Sequence, residues 1–272
     1  MKKTPRPHQA VAIKSAVKHL KASSRGKLIH PTGVGKSLTA LWIAEKIKSK
    51  TTLIVVPSIA LIAQTLKDWK EELPRSKFIA ICSDSTVGND DISVSDSGID
   101  IEVTTDVARL KEFLALPGRK VILSTYQSGE VVKKAIGGAV DFAIFDEAHK
   151  TAGEHGLFTT LLKDFRAFKI PRRMFMTATE RHYKGSRNNI VSMDNESLYG
   201  GYIDQMSFKE ALDAGLLCDY KIVGVEVTEE QVAKYIAKNK GIGGLKARSA
   251  VSLLAYEMAV KEYGIKRAIS FH

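Results

Sequence analysis

The stretch His30-Pro31-Thr32-Gly33-Val34-Gly35-Lys36-Ser37 decides the fold once it is read together with Phe145-Asp146-Glu147-Ala148-His149 further along the chain. The first segment is a glycine loop ending in Lys-Ser, between a short apolar run (Lys27 to Ile29) and a helical pattern (Leu38 to Ile47). A loop of this kind turns successive backbone N–H groups toward phosphate oxygens, and the following helix adds the positive end of its dipole. Lys36 then reaches the terminal phosphates, and the Ser37 hydroxyl ligates Mg²⁺. The second segment ends the apolar run Val140 to Phe145 with two carboxylates. Asp146 is placed to hold the Mg²⁺ shell, and Glu147 to polarise an attacking water. Each motif alone is only suggestive. The strict phosphate-loop pattern has glycine where this chain has His30, and Asp-Glu pairs after apolar runs are common. In this order, each at a strand end, they predict a nucleoside-triphosphate site. Lys36, Asp146 and Glu147 are its expected catalytic groups, and Thr32, Gly33, Val34, Gly35, Lys36 and Ser37 its phosphate cradle.

Around these motifs the composition is that of a globular protein. With 272 residues, 44% hydrophobic and 26% charged, the chain can build one large domain, or one domain and part of another. No apolar run approaches the roughly 20 residues that a bilayer requires. The Met-Lys-Lys start runs straight into Pro, Arg, His and Gln, with no apolar stretch for a signal peptide. The expectation is a cytoplasmic protein with no membrane partner. Cys82 and Cys218 lie far apart without metal-ligand spacing and are expected to be buried thiols of a reducing compartment. The net charge of +11 is uneven, since residues 1–50 hold 12 Lys or Arg against one acid, Glu45. Such a basic segment fits a polyanion, either nucleic acid or the nucleotide. Lys14, Lys18 and Lys21, opposite Val11, Ile13, Val17 and Leu20, equally describe an ordinary solvated helix face.

Apolar runs alternate with amphipathic segments, the pattern of a mostly parallel, twisted sheet flanked by helices. Strands are predicted at Lys27–His30, Thr52–Val56, Phe78–Cys82, Ile99–Thr104, Lys120–Ser124, Phe142–Asp146 and Arg173–Thr177. Helices are predicted at Pro7–Lys21, Ser37–Lys48, Ile59–Leu73, Val107–Leu114, Gly129–Ile136 and Ser207–Gly215. The polar, acidic residues 83–98 read as a surface loop. A boundary is expected after residue 217. Beyond it a strand (Lys221–Val227), a helix (Glu229–Asn239), a glycine-rich break (Gly241–Gly244), a further helix and a last apolar run (Ala268–Phe271) are expected.

With the phosphate loop, the Asp-Glu-Ala-His segment and a third motif, Met176-Thr177-Ala178-Thr179, the chain resembles the first RecA-like motor domain of superfamily 2 helicases and translocases. It looks closest to the branch shared with motor subunits of type I and type III restriction enzymes. Arg6-Pro7-His8-Gln9, Val56-Pro57-Ser58 with Leu61 and Gln64, and Ser124-Thr125-Tyr126-Gln127 fall in the family's order, as does the stretch from Ser192 to Leu217. The resemblance implies an α/β, RecA-like P-loop domain over residues 1–217 and the start of a second RecA-like domain over 218–272.

It further implies that Arg6 and Gln9 bind the base, with Gln9 reading N6 and N7 of adenine so that ATP is preferred. Taken by itself, Gln9 reads as an exposed residue on a first helical turn. His149, Thr177 and Thr179 are implied to couple hydrolysis to movement. Ser58, Thr125 and nearby amides are implied to hold the phosphates of one nucleic-acid strand. The cofactors are then ATP and Mg²⁺, and the partners nucleic acid, with DNA favoured over RNA by the likeness to restriction motors alone, and a second RecA-like domain in cis or in trans. In this family that second domain donates arginine fingers, and neither Arg248 nor Arg267 matches their motif. Turnover by these residues alone is therefore expected to be weak. Two alternatives use the same residues: a nucleotide- and DNA-binding regulatory module, and the motor part of a restriction enzyme, each docking onto a partner.

Overall fold

A computed structural model of the chain describes residues 3–82, 101–153, 169–183, 190–220, 222–238 and 247–268. Eight strands form one sheet. They are β1 (Arg25–Ile29), β2 (Thr51–Val56), β3 (Lys77–Ile81), β4 (Val103–Thr104), β5 (Lys120–Thr125), β6 (Phe142–Phe145), β7 (Arg172–Thr177) and β8 (Tyr202–Gln205), in the order β4-β3-β5-β2-β6-β7-β1-β8. Every pairing is parallel. The helices packed with it are α1 (Pro7–Ala22), α2 (Lys36–Lys46), α3 (Ile59–Glu72), α4 (Val107–Ala115), α5 (Gly129–Ile136), α6 (Glu196–Tyr199) and α7 (Phe208–Asp213).

The side-chain period of two within each central strand sorts the core into two layers. Ile54, Val56, Leu123, Ile144 and Met174 point to the face covered by α1, α2 and α3, where Ala12, Leu41, Ile62 and Trp69 meet them. Leu53, Val55, Ile122, Phe145 and Phe175 point to the other face, against Leu110 and Phe113 of α4, Val132 and Ile136 of α5, and Tyr199. Both faces are covered, so β2 and β5 have no exposed position. That explains why these strands read as uninterrupted apolar runs.

Most predicted elements form within a residue or two of their expected bounds, but of the strand expected at 99–104 only Val103–Thr104 pairs among the described residues. Three further expectations need correction. β8 was not predicted: it is short, only Ile203 on it is buried, and it exists because its backbone pairs with β1. Residues 222–227 form no strand, since no ladder partner stands beside them among the described residues and Ile222 is exposed. Cys82 is buried, but Cys218 is exposed, so only one thiol is shielded. The acidic loop 83–98, the glycine-rich break and most of the last apolar run lie outside the described residues.

The chain separates into two compact units, Met1–Cys218 and Asp219–His272. Among its described residues the second holds two helices, α8 (Glu229–Lys238) and α9 (Ala247–Tyr263), joined through a Tyr235 hydroxyl that donates to Glu257 at 2.8 Å.

Candidate nucleotide site

β6, β7 and β1 are neighbours in the sheet, so their carboxyl ends bring Asp146, Thr177 and His30 side by side. Ligands gather at that edge of a parallel sheet. The His30 N–H donates to the Thr177 carbonyl at 3.0 Å, which fixes the start of the glycine loop against the end of β7.

The loop 31–35 makes its turn with Gly33 at φ 93° and Gly35 at φ 91°. A Cβ on Gly35 would lie 2.6 Å from Gln9 Nε2 and one on Gly33 would lie 3.0 Å from Leu217, so both positions need glycine for backbone conformation and for space. Lys36 opens α2 and is buried, with Nζ donating to the His30 and Pro31 carbonyls at 3.1 and 3.2 Å. Burial draws its pKa down, while the charges of Glu147 and Asp146 oppose that shift. Ser37 Oγ is buried and has no hydrogen-bond partner among the described residues. A buried hydroxyl left unpaired is uncommon. Here it lies in the first turn of the helix behind the loop, where a Mg²⁺ ligand is expected. The oxygen donors Ser37 and Asp146 suit a hard cation that completes its shell with phosphate and water.

Asp146 follows β6. Burial, and next the charge of Glu147, raise its carboxyl to about 6, against the Glu147 N–H (3.0 Å from Oδ1) and Lys36. Glu147 has φ 48° and ψ 45°, a left-handed conformation that costs a non-glycine residue about 1 kcal/mol. Its carboxylate lies 3.2 Å from His149 Nδ1, which is also 2.9 Å from Thr177 Oγ1. The Thr177 hydroxyl donates to the Thr179 carbonyl at 2.9 Å, so Thr177 Oγ1 is the acceptor toward His149 and Nδ1 carries the proton. Glu147, His149, Thr177 and Thr179 thus form one continuous chain of contacts.

The other predicted residues fare differently. Gln9 is buried rather than exposed: its Oε1 accepts from the Arg6 N–H at 2.9 Å and its Nε2 donates to the Gly35 carbonyl at 3.1 Å. Ser58 is the N-cap of α3. Thr125 is 1% exposed and its hydroxyl pairs with Ser128 Oγ at 3.1 Å, so it presents no side chain to a phosphate. β5 is covered on both faces, and that is the reason.

Several residues at the site had no role in the sequence reading. The buried Tyr126 donates its hydroxyl to the Asp146 carbonyl at 2.8 Å and stacks on Phe145. His30 Nε2 lies 2.9 Å from Asp204 on β8. Lys27 lies 4.0 Å over the Tyr202 ring and 2.7 Å from Glu180, the residue after Thr179. Only pairings between distant strands create these contacts. An open cleft of about 640 Å³ adjoins the loop, lined by Pro31, Thr32, Ala178, Thr179, Gln205 and Phe208 among others, within the size range of small-ligand sites.

The profile of the type III restriction enzyme res subunit matches residues 2–182. The chain belongs to that family. Among relatives of this family member, a probable helicase, A859L, of African swine fever virus (isolate Tick/South Africa/Pretoriuskop Pr4/1996) is 26% identical over 97% of the chain and 30% of the relative. A DNA 3'-5' translocase, XPB2, of Sulfurisphaera tokodaii is 28% identical over 85% of the chain and 42% of the relative. The chain therefore spans about a third of the viral relative. An ATP-dependent type ISP restriction-modification enzyme, LlaBIII, solved bound to DNA, aligns with a TM-score of 0.74 and 30% identity over 91% of the chain and 18% of that enzyme. The Pyrococcus furiosus Hef helicase domain shares the fold, with a TM-score of 0.54 at 18% identity. The sheet and its flanking helices are those of a superfamily 2 helicase-type motor domain.

Proposed function

We propose that this chain supplies one wall of the ATP site of a nucleic-acid motor, with DNA as its track and a second RecA-like domain closing the site in cis or in trans. The observation that carries the reading is the buried Ser37 Oγ, without a partner among the described residues, in a cradle that also holds Lys36, Asp146 and Glu147. In this reading Lys36, now held by two loop carbonyls, turns to the terminal phosphates. Ser37 and Asp146 hold Mg²⁺, which supplies charge neutralisation for phosphoryl transfer. Glu147 accepts a proton from the attacking water. The Glu147–His149–Thr177–Thr179 chain passes the state of that carboxylate to the segment after β7. DNA is favoured by the translocase relative and by the DNA-bound restriction enzyme of similar fold. The cytoplasm is the compartment where such a motor meets both ATP and DNA.

The test is binding of a fluorescent ATP analogue with and without Mg²⁺. Lys36→Ala should weaken affinity by about 100-fold or more, as expected when a charge-assisted contact to phosphate is lost. Unchanged affinity in that variant would overturn the site assignment.

A further inference from the structure

We infer that His8 is a positioning residue of the phosphate cradle, aiming the Gly35 N–H at the nucleotide by holding the Val34 carbonyl from behind. The inference rests on the nucleotide-site reading above and adds a residue to which that reading gives no role.

The geometry is short to state. His8 lies in the first turn of α1 and its Nε2 is 2.9 Å from the Val34 carbonyl oxygen. A carbonyl only accepts, so Nε2 carries the proton. One residue on, Gln9 Nε2 donates to the Gly35 carbonyl at 3.1 Å, and Thr39 donates to the same oxygen from both its backbone N–H (3.1 Å) and its hydroxyl (3.0 Å). Two consecutive carbonyls of the loop are therefore drawn toward α1 and α2. No peptide bond among the described residues is cis, and in a trans peptide the N–H points opposite to its C=O. Holding the Val34 carbonyl aims the Gly35 N–H away from α1, and holding the Gly35 carbonyl does the same for the Lys36 N–H. These are successive donors of an anion-binding concavity.

The two clamps are not equivalent. The Gly35 carbonyl has three donors, two of them from the helix that follows it. The Val34 carbonyl has His8 as its one donor among the described hydrogen bonds. Gly33 and Gly35, at positive φ on either side of Val34, leave its flanking backbone freer than other residue types would. Loss of Gln9 leaves its peptide held, whereas loss of His8 frees its peptide to rotate. His8 therefore acts on the phosphates of every nucleotide and is indifferent to the base.

The experiment uses the 272-residue chain and measures affinities for ATP, ADP and GTP by competition with a fluorescent nucleotide, together with thermal unfolding without ligand. His8→Ala should weaken all three by a similar factor, about tenfold, the scale of one hydrogen bond, with the ATP-to-GTP ratio unchanged. His8→Gln, which retains an N–H donor, should recover most of the loss. The inference fails if His8→Ala leaves the affinities unchanged or lowers ATP alone. It fails equally if His8→Gln binds as poorly as His8→Ala at the same melting temperature, because His8 would then only fill space. Lys36→Ala serves as the control. If that variant too binds normally, the nucleotide-site reading is at fault; if it alone loses binding, only the role of His8 is.

Discussion

At the residue scale, the site holds two neighbouring carboxylates at a cost that a bound cation would offset. Asp146 is mostly buried beside a second carboxylate, and its pKa rises from 3.8 to about 6. A shift of that size disfavours the charged form by at most about 3 kcal/mol. The folded pKa lies above the unfolded one. The stabilising effect of the protonated carboxyl is therefore complete below about pH 4 and is lost as the pH rises through about 6. Asp146→Asn removes the charge and keeps the shape. In ligand-free protein at pH 7.5 it should raise the melting temperature by several degrees, with the gain vanishing near pH 4, as calorimetry across pH would show. The same variant should lose Mg²⁺-dependent nucleotide affinity. A destabilising Asp146→Asn at neutral pH would show that the carboxylate is already compensated. The left-handed Glu147 is a second local cost, and it lies where the chemistry is expected.

Among the elements, β8 was not legible and is structurally consequential. Tyr202-Ile203-Asp204-Gln205 buries little apolar surface, so no periodicity announces it. Once paired with β1 it sets Asp204 against His30 and Tyr202 over Lys27, bracing both the glycine loop and the segment after β7. The approach depends on Gly200. Its φ is 75°, and an added Cβ would lie 2.3 Å from the Arg25 carbonyl oxygen. Gly200→Ala should cost roughly 2 kcal/mol or more and lower the melting temperature by about 5 °C, measured by circular dichroism. A melting temperature within a degree of the parent would mean that β8 tolerates displacement. By contrast, α3 and α5 were legible nearly to the residue, because a strong helical period and an abrupt Pro-Ser or Gly-Gly boundary are local signals. The burial of Thr125 was illegible for a different reason. Motif order locates a residue along a strand, but its exposure depends on the helices that cover the sheet.

For the whole molecule, both core layers and the entire sheet lie within Met1–Cys218, whereas α8 has no buried residue and Ala250 is the only buried hydrophobic beyond residue 218 among those described. Stability and nucleotide binding should therefore reside in the first unit. A protein of residues 1–218 should unfold cooperatively within about 2 °C of the full chain and bind Mg²⁺–ATP equally well. A large loss of either would make residues 219–272 part of the folding unit. The amino-acid order carried the reactive groups and the element types, because the Lys-Ser loop, the paired carboxylates, the 3.6-residue helices and the apolar strands are all local patterns. It did not carry the partnerships. His30 meets Asp204, Lys27 meets Glu180, and Tyr126 holds the Asp146 carbonyl across separations of 174, 153 and 20 residues. Such contacts form only when parallel strands settle their order and register. Those are set by how two core layers pack over both faces at once, and no short window of sequence records that.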